Sequence, residues 1–147
     1  MIALEQRSLF DKFLIFTTSV HSGTHEMTQD CKPDSITPIQ YSILEIIAVS
    51  DPMTLSEISD CLRISLPNAS REVRKLSERN LIVKKDDLHD KRKQYIQLSE
   101  DGAKLMKDTF QCIERKFQWR IEDMSQEELE KLEEAMNILQ DRVFYNK

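Results

Sequence analysis

Glycine and proline are scarce in this chain, with two glycines and four prolines among 147 residues. So few breakers exclude a disordered, linker-rich or turn-dense all-β protein and leave a helix-rich soluble domain as the expectation. Long apolar runs are missing as well. Glu5 and Arg7 interrupt the N-terminal apolar character at once, so neither a signal peptide nor a membrane-spanning helix is expected, and the cytoplasm is the expected compartment. The three cysteines, Cys31, Cys61 and Cys112, are odd in number and form no Cys-x-x-Cys pair, which argues for reduced thiols over a disulfide framework or a zinc knuckle. A phosphate-cradling glycine loop, a nucleophile motif and a His–carboxylate cluster are all wanting, so neither an enzyme nor a bound cofactor is expected.

What is present is charge, and its distribution matters more than its sum. The net charge of −5 is unpromising for a nucleic-acid binder. Residues 63–93, however, carry ten basic side chains against five acidic ones, a local +5 that leaves −10 for the rest. A basic island on an acidic body attracts phosphate on one face while the remainder avoids nonspecific contact.

Periodicity and caps divide the chain into elements. A long helix is expected from about Ala3 to Asp30, striped by Phe10, Phe13, Leu14, Thr17 and Val20, locally weakened at Gly23 and ended before Pro33. Thr37, Pro38 and Gln40 open a second helix whose Ile39, Ile43, Ile46 and Ile47 face inward. Thr54 and Glu57 form another capping box before a short helix with Leu55, Ile58 and Leu62 on one face. Ser65 caps the next, with Ala69, Val73 and Leu76 as its apolar stripe. That helix should stop at Asn80, a residue that tolerates the left-handed conformation. Leu81–Val83 and Gln94–Leu98 then read as two strands around a charged hairpin. Ser99 caps a long helix continuing to about Glu122, and Ser125 caps the last. In that last helix Leu129, Leu132, Met136, Leu139 and Val143 alternate steps of three and four, a seam that requires a partner helix.

The order short helix, turn, helix, strand, charged hairpin, strand is that of a winged helix-turn-helix, giving a mostly α fold with a small β-hairpin wing. In such a motif the first helix braces the second, whose polar face enters the major groove. Leu66, Asn68, Ser70, Arg71, Arg74 and Lys75 lie off the buried stripe of the second helix. Arg71 and Arg74 share a face, one able to pair bidentately with guanine while the other grips phosphate. In the wing, Asp90 is placed to orient the Arg92 guanidinium toward a minor groove, while Lys91 and Lys93 approach phosphates.

Met53-Thr54-Leu55-Ser56-Glu57-Ile58, the run from Val73 to Ile82, Asp90-Lys91-Arg92 and Leu98-Ser99-Glu100-Asp101-Gly102 together resemble the MarR family of bacterial transcriptional regulators, most strongly over residues 53–106. The resemblance implies a single domain over 1–147, with a DNA-binding lobe at 37–98 and a helical dimerisation region at 1–32 and 99–147. It implies a homodimer on double-stranded, pseudo-palindromic DNA, commonly a repressor. Arg92 is then the wing arginine, and Ser65 through Lys75 contain the recognition surface. Asn80 stands where the family usually has glycine, and no glycine occupies the turn near Arg63, so those turns are expected to differ slightly.

The resemblance also implies a signal, a small-molecule effector, an oxidant or a metal, received where the dimer helices join the lobe. His21 and His25 are four apart on one helical face, a chelating spacing, with Glu26 or Cys31 as further candidate ligands. Cys31 has only Lys32 as a basic neighbour and is expected to be an inert thiol, Cys61 a packed one, and Cys112 part of an interface or core. Family redox sensors place the reactive cysteine nearer the start of the first helix, where this chain has none. Two alternatives stand beside a DNA-binding regulator released by a small molecule or oxidant. One is a winged-helix dimer serving as a protein-interaction module, the other a metal-responsive regulator using His21 and His25.

Overall fold

The computed structural model describes residues 2–145, with side chains from residue 7 onward; residues 1, 146 and 147 of the expected single domain lie outside the described ones. The element order is α1 (Ile2–Gln29), α2 (Pro38–Val49), β1 (Met53–Thr54), α3 (Leu55–Leu62), α4 (Leu66–Glu78), β2 (Ile82–Asp86), β3 (Gln94–Leu98), α5 (Glu100–Ile121), α6 (Gln126–Ile138) and a π-helical turn (Leu139–Val143). Two compact units divide within α5, between Ile113 and Glu114.

In the first unit the caps lie where the sequence puts them. Thr37 and Gln40 form a reciprocal capping box on α2, and Thr54 and Glu57 another on α3. Such boxes satisfy backbone N–H groups that the first helical turn leaves without partners. From α2 come buried Tyr41, Ile43, Leu44 and Ile47, which meet Ile58, Val73, Leu76, Ile82, Ile96 and Met106 in one core. Ile39 and Ile46, expected inside, are half-buried.

Two turns use left-handed residues in place of glycine. Arg63 has φ 54° and Asn80 φ 58°. Each follows a helix closed in the same way. The Ile64 N–H reaches the Ser59 carbonyl (3.1 Å) and the Leu81 N–H the Leu76 carbonyl (3.0 Å), while Arg63 and Asn80 donate to Asp60 and Ser77. This is the Schellman closure, and it puts Leu81 in apolar contact range of Leu76, both buried. A left-handed non-glycine residue costs about 1–2 kcal/mol. Side-chain bonds offset that cost: Ser59 Oγ donates to the Ile64 carbonyl (2.7 Å) and Asn80 Nδ2 to Asp101 (3.0 Å).

The sheet has three antiparallel strands in the order β1-β3-β2, with Met53 opposite Ile96 and Ile82 opposite Leu98. β1 was not expected, because two residues immediately before a capping box give no alternating pattern to read. Where β3 passes into α5, Ser99 accepts the Gly102 N–H (2.9 Å) and donates to the Asn80 carbonyl (2.6 Å), and its own N–H meets the Leu81 carbonyl (3.1 Å). A Cβ at Gly102 would collide with that same Leu81 oxygen.

The cysteine reading is corrected. Cys31 and Cys112 lie with Cα atoms 5.6 Å apart and form a disulfide, although 81 positions separate them. Sequence spacing carries no information about such a distance. Cys61, expected to be packed, is an exposed free thiol.

The second unit holds the end of α5, α6 and the π-turn. Ser125 caps α6 by accepting the Glu128 N–H (3.2 Å). Leu129, Leu132 and Leu139 are half-buried, and Met136 and Val143 are exposed. The Phe144 N–H reaches the Leu139 carbonyl (2.8 Å), so the last turn is wider than the regular helix that the seam implies.

Candidate nucleic-acid interface

α4 begins at Ser65, whose Oγ accepts the Asn68 N–H (3.2 Å), and Pro67 sits in its first turn. Buried Ala69, Val73 and Leu76 pin one side to the core. Leu66, Asn68, Ser70, Arg71 and Arg74 are consequently exposed, and neither arginine has a partner among the described residues. Lys75 is differently placed. Its Nζ pairs with Glu72 Oε1 (3.3 Å), and Glu72 Oε2 accepts from Nε2 of buried Gln40 in α2 (3.1 Å). Glu72 was not singled out from the sequence, where an acid beside four basic positions reads as a solvated charge.

Acidic groups inside the wing fold its loop and leave the cations outside. Asp87 Oδ1 accepts the His89 N–H (3.0 Å), Oδ2 accepts the Tyr95 hydroxyl (3.2 Å), and Asp86 accepts from Gln94 (3.1 Å). The His89 backbone bond is the main cause of the Asp87 carboxyl lying below its ordinary range, and the Asp87 charge in turn raises Tyr95. Asp90 departs from expectation: its Oδ1 accepts the Arg92 backbone N–H (3.0 Å), so the carboxylate shapes the turn rather than aiming the guanidinium. Lys91, Arg92 and Lys93 are all exposed, and Leu88, overlooked in the sequence among charged neighbours, stands 95% exposed at the tip.

Helix and wing meet. Ser70 and Val73 of α4 line one small cleft with Lys84 of β2 and Gln94 and Ile96 of β3. Lys84 is the basic side chain in that cleft.

His21 and His25 line a separate cleft of about 560 Å³ between α1 and α2, with Thr24, Thr28, Tyr41 and Glu45. Burial, then the hydrogen bond to Glu45 (2.7 Å), raises the Tyr41 hydroxyl far above its ordinary value. Among the described residues no group of three or more His, Cys, Asp or Glu is placed to hold a metal, and the Cys31 sulfur is bonded to Cys112. No helix among the described residues is long and apolar enough to cross a membrane.

A helix-turn-helix followed by a two-stranded wing with a third short strand behind it defines a winged-helix protein. A family model described as "MarR family" matches residues 34–93. A protein of Staphylococcus aureus (strain Mu50) described as an uncharacterized HTH-type transcriptional regulator is 30% identical over 68% of this chain and 68% of its own length. The chain belongs to the MarR family of transcriptional regulators. Its fold is that of a MarR family protein from Bacillus stearothermophilus, at TM-score 0.76, 18% identity and coverage of 96% and 97%. A variant of S. aureus MepR bound to an oligodeoxyribonucleotide matches at TM-score 0.58 and 24% identity, over 85% of this chain and 95% of that one.

Proposed function

We propose that this regulator is a cytoplasmic homodimer that binds double-stranded DNA sequence-specifically, as a repressor on a pseudo-palindromic operator, and is released by a small-molecule or oxidant signal. The observation that carries the reading is the exposure of Arg71 and Arg74 on α4 and of Lys91, Arg92 and Lys93 in the wing that follows it, a basic segment on an otherwise acidic chain. The MepR complex with an oligodeoxyribonucleotide supports the same use of this fold. Ser65, Leu66, Asn68, Ser70, Arg71, Arg74 and Lys75 face the major groove, and Lys91, Arg92 and Lys93 take phosphates and the flanking minor groove. The Asn68 N–H is capped by Ser65, the Ala69 N–H meets the Ser65 carbonyl (3.0 Å) and Pro67 has no N–H, so in the first turn of α4 the Leu66 N–H is left to meet a phosphate.

The lobe is residues 37–98, and residues 1–32 and 99–147 hold the dimer. Leu9, Phe10, Leu14 and Ile15 on α1 are exposed in the single chain, as are Met136 and Val143 on the seam. Large apolar side chains left in water at that density mark surface awaiting a partner. The α1–α2 cleft with His21 and His25 suits a small polar effector. Catalysis has no part in this reading, and the relatives named above are regulators.

Binding to the DNA upstream of its own gene, compared with a scrambled duplex over a salt series, tests the proposal. Preference for the first, with affinity falling steeply as salt rises, is expected. Binding to neither duplex would move the weight to a protein-interaction module.

A further inference from the structure

We infer that Cys31 and Cys112 are a reversible thiol–disulfide latch that sets how firmly the end of α1 is held to the winged-helix lobe through the lobe-packed half of α5, and thereby the affinity for DNA. The inference rests on the DNA-binding reading above. It deepens that reading by assigning the oxidant signal to two residues.

The chain enters the lobe through the segment after α1 and leaves it through α5. Cys31 lies two residues beyond Gln29, and Cys112 lies in α5, so residues 37–98 fall wholly inside the 81-residue separation that the bond closes. Around Cys112 the outgoing helix packs on the core of the lobe through Met106, Phe110 and Ile113, so the bond fixes the incoming chain at Cys31 to the lobe. With the bond broken, the end of α1 is held to the lobe by noncovalent contacts alone.

A second contact carries the effect to the DNA-facing helix. Ser35, four residues after Cys31, accepts both arms of the Arg79 guanidinium, Nη1 on its carbonyl (2.8 Å) and Nη2 on its Oγ (3.1 Å). Arg79 is the residue on which α4 ends. The short span between the two is itself ordered, because Lys32 Nζ bridges to the carbonyl of buried Ile36 (2.7 Å) and the Cys31 and Lys32 N–H groups both reach the Thr28 carbonyl. The cysteine that opens or closes the latch is therefore tied to the C-terminal end of the recognition helix.

Cys31 and Cys112 are both half-buried residues. Closing the latch breaks two S–H bonds and forms one S–S bond; the two electrons and two protons go to a low-molecular-weight disulfide, which leaves as two thiols. Disulfides in a reducing compartment are usually transient and sense redox state. The latched lobe is held in one placement, whereas the open lobe adjusts to the half-site spacing of the duplex, so oxidation weakens binding.

The test uses a duplex selected from random-sequence DNA by the reduced full-length protein, with affinity measured after equilibration in reduced or oxidised glutathione. Alkylation and peptide mass analysis read the thiols, with exposed Cys61 as the internal control, alkylated in reduced glutathione, able to carry a glutathione adduct in oxidised glutathione, and in neither state part of an intrachain bond. An intrachain Cys31–Cys112 disulfide in oxidised protein is expected, with affinity at least fivefold weaker than in the reduced form. Cys31→Ser and Cys112→Ser should hold the reduced affinity in both buffers. A ratio below fivefold, tighter binding on oxidation, or the same redox response in either serine variant overturns the latch. Failure to select any duplex would instead remove the DNA-binding reading itself, while the thiol analysis still reports whether the pair forms.

Discussion

Gly102→Ala separates two arguments that differ in sign. Residue 102 lies in the first turn of α5, where helix propensity alone favours alanine over glycine by about 1 kcal/mol. The surroundings say the opposite, because the added methyl would be driven into the backbone carbonyl of Leu81, which has no flexible side chain to yield. Relief requires the start of α5 to move away from Leu81. That movement stretches the bonds from Ser99 N–H to Leu81, from Gly102 N–H to Ser99 and from Ser99 Oγ to Asn80, each worth about 1 kcal/mol net. Overpacking of this kind costs about 1–3 kcal/mol, so after the propensity gain the variant should be less stable by up to about 2 kcal/mol. Urea unfolding followed by circular dichroism, at one protein concentration and in one redox buffer, reads the difference as a lower midpoint. A variant more stable than the parent, as propensity alone requires, would refute the packing of α5 on the lobe described above.

The remaining predictions concern charge, the dimer and the disulfide. Glu72→Gln keeps an acceptor for Gln40 but frees Lys75, so the slope of log affinity against log salt should steepen by about 0.9, one further phosphate contact; an unchanged slope would exclude Lys75 from the DNA contact. Leu132→Asp or Leu139→Asp should make the protein monomeric by light scattering, because pairing the seam would bury an unpaired carboxylate; a variant that remains dimeric places the interface elsewhere. Cys112→Ser should lower stability under oxidising conditions by at most about 4.5 kcal/mol, the chain entropy of a loop closed over 81 positions, and should have no comparable effect in reductant. Equal losses in both buffers would mean that the serine disturbs packing instead.

What was legible in the sequence was chiefly local. Thr37, Thr54, Ser65, Ser99 and Ser125 announce helix starts because a hydroxyl before a periodic apolar run has one efficient use, and all five accept the expected N–H. Asn80 announces a left-handed stop in the same way, but Arg63 adopts an equivalent conformation with no compositional signal, because the turn is enforced from outside by Ser59 and Ile64. The wing was legible from its flanking strands, whereas the use of Asp90 was not, since a carboxylate two residues before an arginine reaches either its guanidinium or its backbone N–H. The disulfide and the Gln40–Glu72–Lys75 chain join positions remote in sequence, and no periodicity encodes such a meeting.

The central claim is that the exposed side of α4 and the wing bind DNA. Its most direct test is the affinity of Arg71→Ala, Arg74→Ala and Arg92→Ala for the duplex that the parent protein selects, with unfolding midpoint and dimer mass measured alongside. At least one α4 arginine and Arg92 should each lose about 1–3 kcal/mol of binding with stability and assembly unchanged. Parental affinity in all three variants would contradict the account.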